Sequence, residues 1–442
     1  MDENELMGSM KVSKAVAKMA IPSVISSLVT VVYNMADTFF VGQTGDPLQV
    51  AAVSQTNPIF ILFMAFANMF GMGGSAAASM ALGEKKEKRV KQVSSFITYA
   101  SLIVGIVFAV ILLVGMQPVL QLFGADADTY ELAKGYTTYI SYGAPFIIWS
   151  AAASFVVRAD GASREAMTGS MIGTVANIIL DPIFISGFGM GAAGAAIATT
   201  IGNIMASVYY LWYFCRKSRN MSMAFRYFKC GDRILSQVCS AGLPTAIFSA
   251  LMSISTIILN QILVAYGNAP VAAIGIVFKA NMFITFLQMG LANGVQPLLG
   301  YSYGAGNRER FIAVERYTKK CCLIVGVLAT ALFFFFREPI IRLFISDTEV
   351  INYGVEMLIA YMISGPVIGI LFMNMNCMQS TGNALPATIL SILRQGVLLI
   401  PVLYGLNALL GLHGVIYGQA LTDYVAVLLS IVIWRWKRRK TL

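Results

Sequence analysis

The uncharged residues of this 442-residue chain are gathered into long apolar blocks, and this patterning limits the possible folds more than any other feature. Pro47–Gly83, Gln92–Ala125, Pro182–Cys215, Ile234–Phe278, Met357–Leu393 and Gln395–Thr422 contain no Asp, Glu, Lys or Arg. A helix needs about 20 apolar residues to cross a bilayer, so several blocks hold one crossing or nearly two. Outer-membrane barrel strands would alternate polar and apolar residues, and these blocks do not. The chain is 57% hydrophobic and 12% charged, against about 25% charged in soluble domains. A soluble enzyme, a disordered chain and a disulfide scaffold are excluded. The fold class is an all-α polytopic membrane protein.

Twelve transmembrane helices are expected, at about 15–40, 50–82, 92–115, 131–157, 165–186, 190–214, 235–266, 271–303, 317–337, 350–378, 384–405 and 412–434. The 31 Lys and Arg then sort by side. Only Lys134, Arg337 and Arg342 fall in loops on one face, Lys279 and Arg394 lie within spans, and the rest fall on the other face. Such a bias marks the cytoplasmic side, which places both termini there. The net charge of +10 is therefore topology, with some attraction to anionic membrane lipids, and not a nucleic-acid footprint. The opening Met1–Met10 segment is acidic and polar and does not resemble a cleavable signal peptide. The six cysteines, Cys215, Cys230, Cys239, Cys321, Cys322 and Cys377, show no CxxC spacing and are expected to be free thiols.

An offset of 221 residues reveals an internal repeat. It pairs Gly73 with Gly294, Leu122-Phe123 with Leu343-Phe344, Asp126 with Asp347, Pro145 with Pro366, and Gly161 with Gly382. With one-residue slips Pro22 meets Pro244 and Gly194 meets Gly414. Six spans per half give both halves the same orientation, so the two six-helix lobes should be related by a pseudo-twofold axis along the membrane normal. The expected division is an N-lobe over 1–214, a cytoplasmic linker over 215–234, and a C-lobe over 235–442 ending in a basic tail. Parallel repeats of this kind are a transporter design, with the site near their interface.

Ionisable residues within spans are costly and mark functional candidates. Asp37 lies near the outer end of helix 1 and Asp181 within helix 5. Tyr33 is one turn before Asp37, and Asn177 one turn before Asp181, so each pair shares a helix face. Pro182 should kink helix 5 and free a backbone carbonyl beside Asp181. With Thr199 on helix 6, these oxygens could cage Na⁺; alternatively, paired carboxylates could carry a proton. A bland reading has Asp37 facing an outer vestibule and Asp181 stabilising the kink. In the second half neither acid recurs. Its in-span charges are Lys279, Glu356, Arg394 and Asp423, which either form interhelix pairs or line the path. His413, the only histidine, fits a surface or capping role. Methionines such as Met64, Met69, Met72, Met282, Met289, Met362, Met373 and Met375 could line a deformable pocket or simply fill helix packing. The pairs Gly169/Gly173, Gly187/Gly191, Gly290/Gly294, Gly365/Gly369 and Gly414/Gly418 permit close helix approach.

No Gly is followed by Lys, so no Walker motif exists, and neither HExxH nor GxSxG occurs. The chain is not read as an enzyme, and no cofactor is called for. Transport would draw on an ion gradient or on another subunit.

The segments Asp37-Thr-Phe-Phe-Val-Gly42, Ala51-Ala-Val-Ser-Gln-Thr-Asn-Pro58, Asn177-Ile-Ile-Leu-Asp-Pro-Ile-Phe184, Gly191-Ala-Ala-Gly-Ala-Ala-Ile-Ala-Thr199 and Gln296-Pro-Leu-Leu-Gly-Tyr-Ser-Tyr-Gly-Ala-Gly-Asn307 carry a resemblance. Over essentially its whole length the chain resembles the multidrug and toxic compound extrusion (MATE) family, most nearly its MepA-type branch. The resemblance implies efflux of amphipathic, often cationic, drugs from a bacterial plasma membrane, in exchange for H⁺ or Na⁺, by rocking of two lobes. It places the cation site, including any Na⁺, on Asp37, Asn177, Asp181 and Thr199, with Tyr33 beside it. The NorM-type branch uses an acid in helix 7; helix 7 here has none, so that site does not carry over. A lipid-linked precursor flippase of the same architecture is the alternative, and it would need more basic residues in its cavity than Lys279 and Arg394. A membrane receptor or scaffold is disfavoured by the short loops. A functional monomer is expected, because the repeat already supplies two lobes.

Overall fold

Residues 3–229, 231 and 233–441 are described by a computed structural model, and among them the chain is helix joined by short turns. The first lobe contains α1 (Glu3–Gly8), α2 (Val12–Gly42), α3 (Pro47–Gly83), α4 (Glu87–Val114), α5 (Met116–Leu122), α6 (Tyr130–Ala159), α7 (Ser163–Pro182) and α8 (Gly191–Arg216). The second contains α9 (Ile234–Val264), α10 (Asn268–Gly304), α11 (Arg308–Phe335), α12 (Arg337–Arg342), α13 (Thr348–Ile363), α14 (Gly365–Ser380), α15 (Ala384–Ile392) and α16 (Leu399–Thr441). Ten helical stretches are long and apolar enough to cross a membrane, and α13 with α14, bent by 45°, makes an eleventh. One of the ten, Ala384–Thr441, is 58 residues long. A straight helix of that length would run about 87 Å. Instead Gly411 adopts φ 60 and ψ −141, and Asn383 Nδ2 donates to Thr441 Oγ1 at 3.2 Å. The two ends meet, so this stretch is a hairpin of two crossings, which makes twelve among the described residues.

Local chemistry explains where the helices begin. Asp46 accepts from the Leu48 N–H (2.9 Å) ahead of Pro47, whose fixed φ suits a first helical turn. Asn307 accepts from the Arg310 N–H (2.9 Å), which starts α11 about nine residues before the expected position. The charged turns of α11 are thus helical and extend past the apolar stretch. Likewise α16 runs through the basic tail to Thr441. At Pro182 α7 does not simply kink: a widened π-type stretch over Ile183–Gly187 absorbs the missing donor. Cys215, Cys239, Cys321, Cys322 and Cys377 are free, and Cys230 lies outside the described residues.

The repeat reappears as repeated contacts. Asp126 Oδ1 accepts from the Thr129 N–H (3.0 Å) and hydroxyl (2.8 Å), which holds this carboxyl below its usual range. Its repeat partner Asp347 accepts from the N–H of Val350 (3.0 Å). A Cβ on Gly105 would fall 2.4 Å from Pro145 Cα, and one on Gly326 would fall 2.8 Å from Pro366 Cα. Across the lobes, a Cβ on Gly83 would lie 2.1 Å from the Tyr301 carbonyl oxygen, and one on Gly304 would lie 2.0 Å from that of Met80. Gly83 and Met80 are the 221-residue counterparts of Gly304 and Tyr301, so this seam is built twice by one rule.

The lobes meet at the end that carries both termini. Gly73 abuts Val238 and Gly242 of α9, while Gly290 and Gly294 abut 19–27 of α2. Gln296 Nε2 donates to the Met72 carbonyl (3.4 Å), and Arg89 Nη2 donates to Gln237 (3.1 Å). An apolar core there joins Leu6, Met7, Val16 and Met19 to Val295, Leu298, Phe311 and Trp434. The Arg310 guanidinium donates to the carbonyls of Leu6 (3.1 Å), Met7 (2.8 Å) and Met10 (2.7 Å), which fastens α1 to the second lobe. At the same end, buried Glu315 accepts from Trp434 Nε1 (2.7 Å) and pairs with Lys319 and Arg438. All these inter-lobe contacts fall in the half of the molecule nearest the termini.

The residues between α8 and α9 do not hang free. Ser94, Ser95 and Tyr99 of α4 donate to the carbonyls of Ser222 (2.9 Å), Ala224 (3.1 Å) and Met223 (3.0 Å). Asp160 accepts from Tyr213 (2.8 Å), Ser218 (2.6 Å) and Asn220 (3.0 Å), although burial still pushes its carboxyl up.

Two predictions follow from this architecture. Gly83→Leu or Gly304→Leu should wedge the terminus-bearing end apart, read as a longer distance between spin labels at Lys85 and Arg308. Gly42→Ala, with nothing within 4 Å of the added carbon, should leave that distance unchanged. Asp160→Ala strands three donors and should cost about 1–3 kcal/mol, measured as a lower melting temperature of the purified protein.

Candidate functional site

Close backbone approach positions the polar groups of the first lobe. A Cβ on Gly202 of α8 would lie 2.6 Å from the Gly173 carbonyl oxygen of α7, and one on Gly173 would lie 2.9 Å from that of Gly202. Glycine at both positions lets the helices touch. One turn along α7 stands Asn177, and on α8 Thr199 comes three residues before the crossing, so the two side chains face each other. With its amide oriented to satisfy both ends, Asn177 Nδ2 donates to Asp181 Oδ2 (2.9 Å). Its Oδ1 accepts from the Thr199 hydroxyl (3.1 Å) and the Thr199 N–H (2.9 Å). From α2, the Tyr33 hydroxyl lies 3.3 Å from Thr199 Oγ1 and can donate to it. The donors therefore run in one direction, Tyr33 to Thr199 to Asn177 to Asp181.

Asp181 is fully buried. Among the described residues its Oδ1 has no hydrogen-bond partner, and neither does Oδ1 of Asp37, one turn beyond Tyr33 on α2. Each unmet buried acceptor costs about 1–3 kcal/mol or more, a cost that a proton or a small hard cation at these oxygens would remove. Tyr136 on α6 borders the cluster: it is buried in a core shared with Val41 of α2, Ile185 just beyond α7 and Ala195 of α8. Sequence reasoning missed Tyr136. It is one of 19 tyrosines, and no spacing ties it to either acid. Asp37, Asn177, Asp181, Thr199 and Tyr33 are thus gathered from three helices into one place in the first lobe.

The four second-lobe charges are not gathered in this way. Arg394 Nε donates to Asp423 Oδ1 at 2.8 Å, a buried interhelix pair. Glu356 Oε1 lies 2.6 Å from Nδ1 of exposed His413, a separate contact between α13 and α16. Lys279, half-buried on α10, makes no hydrogen bond or ion pair among the described residues. Of the methionines, Met282 faces a cavity in the second lobe. Met72, Met362, Met373 and Met375 are buried in helix packing instead.

Comparison with known proteins agrees with this architecture. The MatE family model matches residues 22–183 and 244–404, one match in each repeat. The multidrug export protein MepA of Staphylococcus saprophyticus is 32% identical over 422 residues, covering 96% of this chain and 93% of its own length. A MATE crystal structure in complex with MaD3S superposes with a TM-score of 0.94 at 25% identity, covering 99% of this chain and 98% of the other. A multidrug resistance MATE transporter of the MOP superfamily, in its outward-facing conformation, gives 0.92 at 25% identity over 100% and 99%. Two matched repeats, twelve crossings in two lobes and a relative alike from end to end lead to one conclusion: this chain is a multi-pass membrane transporter, not an enzyme, and belongs to the MatE family.

Proposed function

We propose that this transporter is a multidrug antiporter that expels amphipathic, often cationic, compounds in exchange for H⁺ or Na⁺. The observation that carries the reading is the pair of unpartnered carboxylate oxygens, Oδ1 of Asp37 and of Asp181, in one polar cluster. Relatives named for multidrug export and a structure bearing a bound compound support the substrate class. The Lys and Arg distribution assigns the terminus-bearing end to the cytoplasm. The lobes touch at that end, which supports a reading in which the arrangement opens to the outside.

The exchange follows from electrostatics. Two carboxylates in a poorly solvated site repel each other, and binding one cation or proton relieves that repulsion. A drug cation and the coupling ion then compete for the same charge. An ion arriving from outside takes Asp37 and Asp181 together, draws α2 toward α7 and α8, and bends α2, which contains Pro22. The drug loses its counter-charge and leaves, and the lobes rock to admit the next one. Asn177, Thr199 and Tyr33 hold Asp181 in place through their directed chain. One repeat pair supplies both lobes, so a monomer suffices. A flippase handling an anionic lipid-linked precursor fits less well, because Arg394 is already paired with Asp423.

In cells lacking other pumps, Asp181→Asn and Asp37→Asn should reduce ethidium efflux to the level of cells without the transporter, at equal membrane expression. Varying the proton gradient and Na⁺ separately identifies the driving ion, and wild-type rates in both variants would refute the site. Gly202→Val removes no polar group yet pushes α7 from α8. It should also depress efflux, whereas Gly42→Ala should not, measured in the same assay.

A further inference from the structure

Segment 217–229, between α8 and α9, lies against α4 at a depth that the bilayer fixes. A hydrocarbon core about 30 Å thick takes about 20 helical residues. α4 ends before Gly115, so counting back from there puts the near edge of the core at about Ser95. One row of α4, with members four residues apart, contains Lys91, Ser95, Tyr99, Ile103, Val107 and Ile111. The row begins with a cation one turn outside that edge, passes through two hydroxyls, and ends in three exposed apolar side chains.

Segment 217–229 is fitted to this edge. Its consecutive carbonyls at Ser222, Met223 and Ala224 accept from the hydroxyls of Ser94, Tyr99 and Ser95. Unmet backbone oxygens are not tolerated at hydrocarbon depth, so a non-helical segment entering the bilayer edge requires such donors. The next residues, Phe225–Tyr227, form a single 3₁₀ turn. Phe225 meets Tyr99 edge-on with ring centres 5.3 Å apart, and Phe228 stacks on Phe96 at 6.3 Å. Phe225 is nevertheless 70% exposed, beside the apolar row. The same turn brings two cations to one ring. Arg226 Cζ lies 4.8 Å, and Lys91 Nζ 6.0 Å, from the centre of the Tyr227 ring. Among the described residues neither cation has an acidic partner, and the Tyr227 hydroxyl makes no hydrogen bond.

We propose that α4 and segment 217–229 form a site for an anionic phospholipid, with its phosphate between Lys91 and Arg226 and an acyl chain along Ile103 and Val107. Charge complementarity selects the headgroup: two cations from separate elements converge, and a phosphate oxygen accepts charge-assisted bonds from both. Tyr227 supplies a further donor at the same place. The apolar row selects a lipid over a free phosphate, because a soluble anion would leave Phe225 and Ile103 facing nothing it could cover. Hydrogen bonds and ring stacking hold the turn in place, which distinguishes this site from the basic residues spread over the rest of that side. The site stands apart from the antiport reading, and its test involves no transport.

The test is native mass spectrometry of the purified, delipidated full-length protein titrated with dioleoylphosphatidylglycerol or dioleoylphosphatidylcholine. Lys91→Gln with Arg226→Gln should weaken the tightest phosphatidylglycerol association about tenfold or more and leave phosphatidylcholine unchanged. Arg439→Gln with Lys440→Gln removes as much charge from the basic tail and should leave both lipids unchanged. Equal phosphatidylglycerol affinity in wild type and the first pair overturns the proposal. An equal loss in the tail pair also overturns it, since the attraction would then follow net charge alone. Soluble glycerol phosphate, which has the headgroup chemistry without the chains, should not displace the lipid at equal concentration; displacement makes this a free-phosphate site and overturns the lipid. Phe225→Ser keeps both cations and should weaken both lipids, and no effect on either overturns the placement of the acyl chain.

Discussion

Close contact between helix backbones is the constraint on which the rest of this molecule depends. Lipid tails are as apolar as leucine, so burying leucine against leucine drives no association within a bilayer, and helices there adhere by proximity. Gly173 and Gly202 supply that proximity within the first lobe, and the Gly83–Tyr301 and Gly304–Met80 contacts supply it between the lobes. The polar cluster of the first lobe is a consequence of the first crossing: Asn177 and Thr199 meet because the backbones beside them do. The closed end is a consequence of the second. Residues outside the polar cluster thus decide whether the acids have neighbours and at which end the lobes meet.

Much of this was legible from the residues because lipid imposes strict rules on a chain. Uncharged blocks had to be helices, since nothing else satisfies its backbone there. The 221-residue offset exposed the repeat because each half repeats the same steric solutions, Asp126 and Asp347 at turns and Gly105 and Gly326 beside prolines. Asp37 and Asp181 stood out because charge is rare in spans. Other features were hidden for reasons equally physical. Tyr136 has no charge to betray it, and only the packing of α6 brings it into the core shared with Val41 and Ile185. The early start of α11 depends on the Asn307 cap and on charged turns that solvate beyond the apolar region, where hydropathy gives no signal. Arg394 and Asp423 are 29 residues apart, a spacing that becomes a contact only after Gly411 folds the hairpin.

The lobes share a fold and divide the chemistry. In the first, two acids accumulate with too few donors around them. In the second, an arginine and an aspartate pair with each other. Duplication followed by divergence in this form gives a transporter two unlike polar environments on one scaffold without altering the helix crossings that hold it together. The backbone widens in both lobes, over Ile183–Gly187 and over Leu393–Leu398, close to the charged residue of each. A π-type stretch re-aims side chains without breaking a span, and here it separates the evolution of the site from that of the packing.

The hold of Arg310 on α1 has a mechanical consequence. The first ten residues precede a first-lobe helix, yet three of their carbonyls are fastened to α11 of the second. They act as a clasp across the seam, so the seam cannot part until the clasp slips or until the short joint before α2 stretches. Anything that loads the amino terminus, such as a fused domain, would act on the tempo of the cycle while leaving its chemistry and its selectivity untouched.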